Sequence, residues 1–112
     1  MIQDYYLSQY DTAQTIRDTL SDANGPVSLA GATVKFLMRS ILNESVVVNG
    51  SATPDPDQTG NIGQVSYQPV AADVLTTGLY YAQWKVTFLN GGISHFPNAE
   101  PFILVEIAKS IV

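Results

Sequence analysis

Two places in the sequence hold side chains that could do chemistry. His95, the only histidine, lies in GISHFPN and could serve as the base of a Ser-His-Asp arrangement. Asp55 and Asp57 lie in TPDPDQTG, where two carboxylates could bind calcium weakly. No nucleophile elbow accompanies His95, and the spacing in the aspartate loop is not that of a calcium-binding loop. The sequence therefore predicts a protein that is not an enzyme and has no catalytic, metal or cofactor site.

The charge balance argues against two classes of partner. The formal net charge is −5, and charged residues make up only 13% of the chain. A groove that neutralises phosphates needs clustered basic side chains, whereas the five here are scattered along the sequence: Arg17, Lys35, Arg39, Lys85 and Lys109. Nucleic acid and anionic membranes are thus unexpected partners. The chain has no cysteine for a disulfide or thiolate site.

The stretch TTGLYYAQWKV holds the only tryptophan, and it could be either an aromatic binding surface or a core strand. Its residues alternate with the period of two that is typical of a strand with one buried face. The predicted inner face comprises Tyr80, Ala82, Trp84, Val86 and Phe88. We therefore predict that Trp84 lies in the core. The spacing Thr76-x-Gly78-x-Tyr80 also predicts a tyrosine corner, in which the Tyr80 hydroxyl bonds back to the preceding turn.

Short strands separated by turn signals recur along the whole chain. Alternation or β-branched composition marks TIRDTL, TVKFLMR, ESVVVNGSAT, NIGQVSYQP and PFILVEI, and one helical turn is predicted around residues 71–75. In TIRDTL, Asp18 shares a face with Ile16 and Leu20, which indicates a bulge or an edge strand. The predicted fold is all-β, an immunoglobulin-like antiparallel β-sandwich of about seven to eight strands. Residues 1–112 form one domain, in which residues 1–10 are either an N-terminal arm or the first strand.

The functional residues that the sequence suggests are candidates for protein contact. Tyrosine is enriched in interfaces because it buries a large area at a low cost in conformational entropy. The N-terminal DYYLSQYD is tyrosine-rich, although a first strand packed into its own domain would have the same composition. In the predicted strands, Leu37 and Tyr81 are expected to face outward and are further candidates. The candidate contact residues are Tyr5, Tyr6, Leu7, Tyr10, Leu37 and Tyr81.

The sequence also resembles a known family over nearly its whole length, from about Asp11 to Ile107. The matching positions are turn and core residues: Asp22, Gly25, Pro26, Val27, Leu29, Gly31, Ala32, Val34, Phe36 and Met38, then Gly63, Val65, Tyr67, Gly78 and Tyr80, and the closing HFPNAEPFILVEI. They resemble small immunoglobulin-like domains encoded by tailed phages and prophages. The best described of these is the N-terminal domain of the baseplate upper protein of siphophages that infect Gram-positive hosts.

The resemblance implies a structural protein of a tailed-phage particle, docked in many copies against other virion proteins. A baseplate upper protein continues past this domain, whereas this sequence stops, so a head decoration, a connector accessory and a tail ornament are also open. The N-terminus lacks a basic start and an apolar h-region. We therefore expect synthesis in the host cytoplasm, without a signal peptide, followed by residence in the virion.

Two other functions compete with the virion role. A carbohydrate-binding module that aids adsorption to the host would need exposed aromatic side chains. Trp84 and Tyr81 are three residues apart on one predicted strand, so their side chains point to opposite faces. They cannot form one exposed aromatic surface, which weighs against the carbohydrate-binding function. A sandwich hydrolase would need His95, for which no catalytic partner can be identified.

Overall fold

The structure is a computed structural model that describes residues 4–97 and 103–111. These residues contain ten strands and one short 3₁₀ helix, joined by turns and loops, so the fold is all-β as predicted. The residues predicted to begin the last strand, including Phe102, lie outside the described ranges. The strands are β1 Tyr5–Ser8, β2 Ile16–Thr19, β3 Ser21–Asp22, β4 Gly25–Pro26, β5 Thr33–Ser40, β6 Val46–Pro54, β7 Gln64–Tyr67, β8 Gly78–Thr87, β9 Ile93–Phe96 and β10 Ile103–Ala108.

Eight of these strands form one hydrogen-bonded path in the order β1-β10-β8-β5-β6-β7-β2, with β9 paired to β8. The first part of β6 pairs with β5, and its last two residues, Thr53 and Pro54, pair with β7. One strand therefore passes from the first sheet of the sandwich to the second. All pairings in the path are antiparallel except that of β1 with β10. The immunoglobulin-like sandwich predicted from the sequence is the fold observed, with eight strands in this path, two further strands of two residues each, and one parallel pairing in place of a wholly antiparallel arrangement.

The two ends of the path face each other across the core. The Tyr5 hydroxyl on β1 donates a hydrogen bond to the Arg17 carbonyl on β2. Trp84 on β8 is fully buried, and its Nε1–H donates to Asp18 Oδ2 on β2 over 3.1 Å. These two bonds tie β2 to the first sheet, although β2 forms backbone pairs only with β7 among the described strands.

An aromatic cluster fills the centre of the sandwich. The Phe36 ring stacks on Tyr67 with centroids 5.0 Å apart and meets the edge of Trp84 at 4.8 Å. Such pairs add about 0.5–1.5 kcal/mol beyond the burial of area. The Tyr67 hydroxyl donates to Asp73 Oδ2 over 2.5 Å, which anchors the 3₁₀ helix Ala71–Val74 to the core. The helical turn predicted near residues 71–75 is confirmed.

The stretch TTGLYYAQWKV is a core strand with a tyrosine corner. Tyr80, Ala82, Trp84 and Val86 are buried, whereas the residues between them are half-buried on the other face. The Tyr80 hydroxyl donates to the Thr76 carbonyl over 2.6 Å, which is the bond predicted from the spacing. Phe88, placed on the inner face by the alternation, lies just beyond the end of β8 and packs partly against the core.

Asp18 explains the irregular pattern of TIRDTL. The strand β2 ends the path, as an edge strand was predicted to do, and Asp18 points inward with Ile16 because Trp84 supplies a donor there. Burial raises the pKa of the Asp18 carboxyl. Hydrogen bonds from the Thr19 N–H and the Trp84 Nε1–H favour the charged form but do not offset burial. The folded protein therefore binds this proton more tightly than the unfolded chain.

The raised pKa of Asp18 predicts the direction in which the free energy of unfolding changes with pH. Stability from the group is complete below the unfolded pKa of about 3.9 and is lost as the pH rises through the folded value. Asp18→Asn stays neutral, so the difference in free energy of unfolding, variant minus wild type, is expected to increase between pH 3 and pH 7. Urea unfolding of both proteins across this range measures it. A difference that falls with pH would mean that the charged carboxylate is favoured by folding.

Candidate functional site

The outer face of the first sheet is built from the residues that alternate with the core. On β8 these are Tyr81, Gln83 and Lys85, each half-buried between its cross-strand neighbours. Tyr81 lies opposite Leu104 on β10 and opposite Arg39 on β5. Because strands pair in register, side chains that are far apart in sequence meet here in continuous rows.

Three of the six predicted contact residues lie on this outer face. They are Tyr6 on β1, Tyr81 on β8 and Leu37 on β5, all of which point away from the core. Tyr10 is also exposed, in the turn after β1, where its N–H donates to the Val74 carbonyl over 3.1 Å. The outward direction predicted for Leu37 and Tyr81 is confirmed.

The positions of Tyr5 and Leu7 correct the prediction that they are surface contacts. The first ten residues include a genuine strand, β1, whose alternate residues Tyr5 and Leu7 are buried in the core. Their cross-strand partners on β10, Val105 and Ile107, are buried as well. The N-terminal strand is thus packed into its own domain, which is the alternative that the sequence left open.

We call the exposed apolar part of this face the apolar strip. It crosses four strands, and its members are Tyr6, Leu79, Leu104, Tyr81 and Leu37. Tyr6 is 64% exposed and Leu79 is 48% exposed, and both flank Glu106 in one cross-strand row. The next row contains Leu104 and Tyr81. Outward-facing apolar and aromatic side chains grouped in this way are typical of a protein–protein contact.

A groove of about 380 Å³ lies between β5, β6, β8 and β9, at the end of the strip that contains Leu37 and Tyr81. Leu37 and Tyr81 line its apolar part, and the Arg39 guanidinium lies over the Tyr81 ring, 5.8 Å from its centroid. Stacking on arginine fixes the orientation of the tyrosine, which lowers the entropy lost when a partner covers it. The other end of the groove is lined by Lys85 and His95.

Lys35, Lys85 and His95 form one cross-strand row, which we call the cation row. Lys85 lies opposite Lys35 on one side and opposite His95 on the other. Lys35 Nζ donates to Ser51 Oγ on β6 over 3.0 Å. Like charges in directly opposed positions destabilise a sheet. The row was not predicted from the sequence, because its residues are far apart along the chain. Its signal is that Lys35 and Lys85 both occupy outward-facing positions of their strands.

The side chains that could do chemistry, His95 and the pair Asp55 and Asp57, lie on different elements of the fold. His95 belongs to the cation row, whereas Asp55 and Asp57 lie in the loop between β6 and β7. Asp57 Oδ1 accepts the backbone N–H groups of Gly60 and Thr59 over 3.0 and 3.1 Å. Within residues 4–97 and 103–111, no three His, Asp or Glu side chains are grouped closely enough to hold a metal ion.

Trp84 lies inside the sandwich and does not contribute to this surface. Because Trp84 is fully buried, it offers no stacking platform for a sugar. The carbohydrate-binding alternative would therefore have to use the exposed tyrosines. The described part of the chain contains no helix of the length and hydropathy that a membrane crossing requires.

Comparison with known proteins supports the fold. No family model and no curated protein matches the sequence. Among solved structures, the chain is similar to CopC from Methylosinus trichosporium OB3b, with a TM-score of 0.55 and 13% sequence identity. The similarity covers 98% of this chain and 88% of CopC. At this identity the likeness establishes a common β-sandwich architecture.

Proposed function

We propose that this chain is a non-enzymatic structural protein of a tailed-phage particle, docked in several copies against other virion proteins. The observation that carries the proposal is the apolar strip with its stacked Tyr81–Arg39 pair. The resemblance of the turn and core residues to phage-encoded immunoglobulin-like domains gives the particle as the setting. The proposed location is the virion, in its tail or baseplate or as a head accessory.

The chemistry of the strip suits a protein partner. Interface cores are enriched in tyrosine and arginine, and the residues that dominate binding tend to be central, well-packed aromatics. Tyr81 fits this description, because Leu104 and Arg39 flank it and Leu37 lies in the adjoining row. The acidic surplus of the chain disfavours nucleic acid and anionic membrane as the partner.

Removing the centre of the strip is expected to remove the protein from particles. For the double variant Leu37→Asp, Tyr81→Ala we expect about a tenfold loss of incorporated copies, the effect of about 1.4 kcal/mol of lost binding free energy. Quantitative peptide mass spectrometry of purified particles measures it. Leu42→Asp is the matched control, because Leu42 is exposed in the turn after β5, outside the strip.

The control should be incorporated like wild type. Both proteins are first checked for folding by urea unfolding, since Leu37 is half-buried. If the folded double variant enters particles at the wild-type level, the strip is not the docking surface.

A further inference from the structure

The charges of this protein are strongly segregated between its strands. β5, β6, β8 and β9 contain Lys35, Arg39, Lys85 and His95 but no aspartate or glutamate. The rest of the chain has only two basic side chains, Arg17 and Lys109, against all ten acidic ones. An acidic protein therefore has one face that carries most of its positive charge. Such complementarity within one chain is what a head-to-tail contact between identical copies requires.

We propose that the cation row receives the Asp55–Asp57 loop of a second copy of this chain, so that copies join head to tail. The proposal deepens the docking role given above and rests on it, because it names a partner for the same face. The cation row has a reason to bind carboxylates: Lys85 lies directly opposite Lys35, and β5, β6, β8 and β9 contain no acid that compensates this pair. An incoming carboxylate would relieve this repulsion.

The loop holds its two carboxylates in fixed positions: Asp57 is exposed and Asp55 is half-buried, with Asp55 Oδ1 accepting the Asp57 N–H over 2.8 Å. Its centre is fixed by Gln58, whose Oε1 accepts the N–H groups of Leu29 and Gly63 over 3.0 and 2.9 Å. Gln58 Nε2 also donates to the Asp55 carbonyl over 2.8 Å. Asp57 is exposed, and the N–H groups of Gly60 and Thr59 hold the pKa of its carboxyl below the usual range. A loop that is already ordered loses little entropy on binding.

The distance between the two aspartates of the loop is similar to the distance between two lysines of the cation row. Asp55 and Asp57 are two residues apart, which an extended chain spans in at most about 7 Å. Directly opposed side chains such as Lys35 and Lys85 have Cβ atoms about 5 Å apart. Two carboxylates of the loop can therefore face two neighbouring lysines, in charge-assisted bonds.

The position of the loop makes the contact one between copies. The loop connects β6 to β7, and a cavity lined by Asp55 is also lined by Arg17 and Thr19 of β2 in the second sheet. The cation row lies on the outer face of the first sheet. The two surfaces are thus different parts of the molecule, so a head-to-tail contact leaves a free cation row on one copy of each pair and a free loop on the other. Repetition produces a ring or a filament, as in multi-copy particle components.

A charge swap tests the proposal by sedimentation velocity on the purified full chain. Wild type should associate with increasing concentration at about 20 mM salt, and at about 500 mM salt the association should weaken about tenfold or more. Lys35→Glu with Lys85→Glu, and separately Asp55→Lys with Asp57→Lys, should each stay monomeric. An equimolar mixture of these two variants should associate again, because each supplies the surface that matches the other. Lys109→Glu, which changes an exposed lysine outside the row, should behave like wild type.

Two results would overturn the inference: a wild-type chain that is monomeric at both salt concentrations, or a mixture of the swapped variants that fails to associate. In the first case, loss of the strip variant from particles would still support the docking role, and the self-contact alone would be wrong. Conversely, association in solution with unchanged particle incorporation of the strip variant would support the self-contact and contradict the docking role.

Discussion

Trp84→Ala is expected to remove about 3–5 kcal/mol from the free energy of unfolding. Trp84 is fully buried, and its ring meets the edge of Phe36. The substitution opens a large cavity between the two sheets and removes the Nε1–H that Asp18 accepts, which leaves an inward-facing carboxylate with one donor fewer. Because small domains have only about 5–15 kcal/mol of stability in total, this variant is expected to be unfolded or only marginally stable.

The effect is measured by urea unfolding, with Tyr81→Ala as the matched control. Tyr81 is an aromatic residue on the same strand that faces outward, so its truncation should cost about 1 kcal/mol or less. Trp84→Phe should fall between the two, since it keeps an aromatic ring but has no donor for Asp18. Equal losses for Trp84→Ala and Tyr81→Ala would contradict the assignment of Trp84 to the core.

Gly63→Ala is expected to cost about 3 kcal/mol or more of the free energy of unfolding. Gly63 has φ +81°, and a Cβ there would lie 2.6 Å from the Leu20 carbonyl oxygen. The neighbour is backbone and cannot rotate away, because the Leu20 N–H donates to the Gly63 carbonyl over 2.8 Å. The Gly63 N–H also donates to Gln58, so the strain would reach the loop that carries Asp55 and Asp57.

Gly91→Ala separates the two causes of this loss. Gly91 has φ +90°, but no atom lies within 4 Å of a Cβ built there. It should therefore show only the cost of a left-handed backbone for alanine, about 1–2 kcal/mol. Thermal or urea unfolding of both variants gives the comparison. If the two glycines prove equally sensitive, the contact with Leu20 has no energetic weight.

Much of the fold could be predicted because alternation determines which face of a strand a residue occupies. The direction of Trp84, the tyrosine corner of Tyr80 and the outward position of Leu37 all follow from local spacing. None of these needs knowledge of which strands are neighbours. Local turn chemistry likewise indicated the short helix before Leu75.

The missed features all depend on pairing between distant strands. The parallel pairing of β1 with β10 buries Tyr5 and Leu7, and no pattern in the first ten residues specifies that partner. The Trp84–Asp18 bond joins residues 66 positions apart. The cation row exists only because β9 and β5 flank β8 in register. For the candidate site, the sequence thus identified Tyr6, Leu37 and Tyr81 without indicating that they share one surface.

The virion role is tested most directly by mass spectrometry of purified particles of the phage or prophage that encodes the chain, after separation into heads and tails. The proposal predicts peptides of this protein in one of the two fractions, at several copies per particle. Peptides in tails would place it with the baseplate or tail, and peptides in heads would make it a head accessory. Its absence from both fractions, in a host that expresses it, would contradict the proposed function.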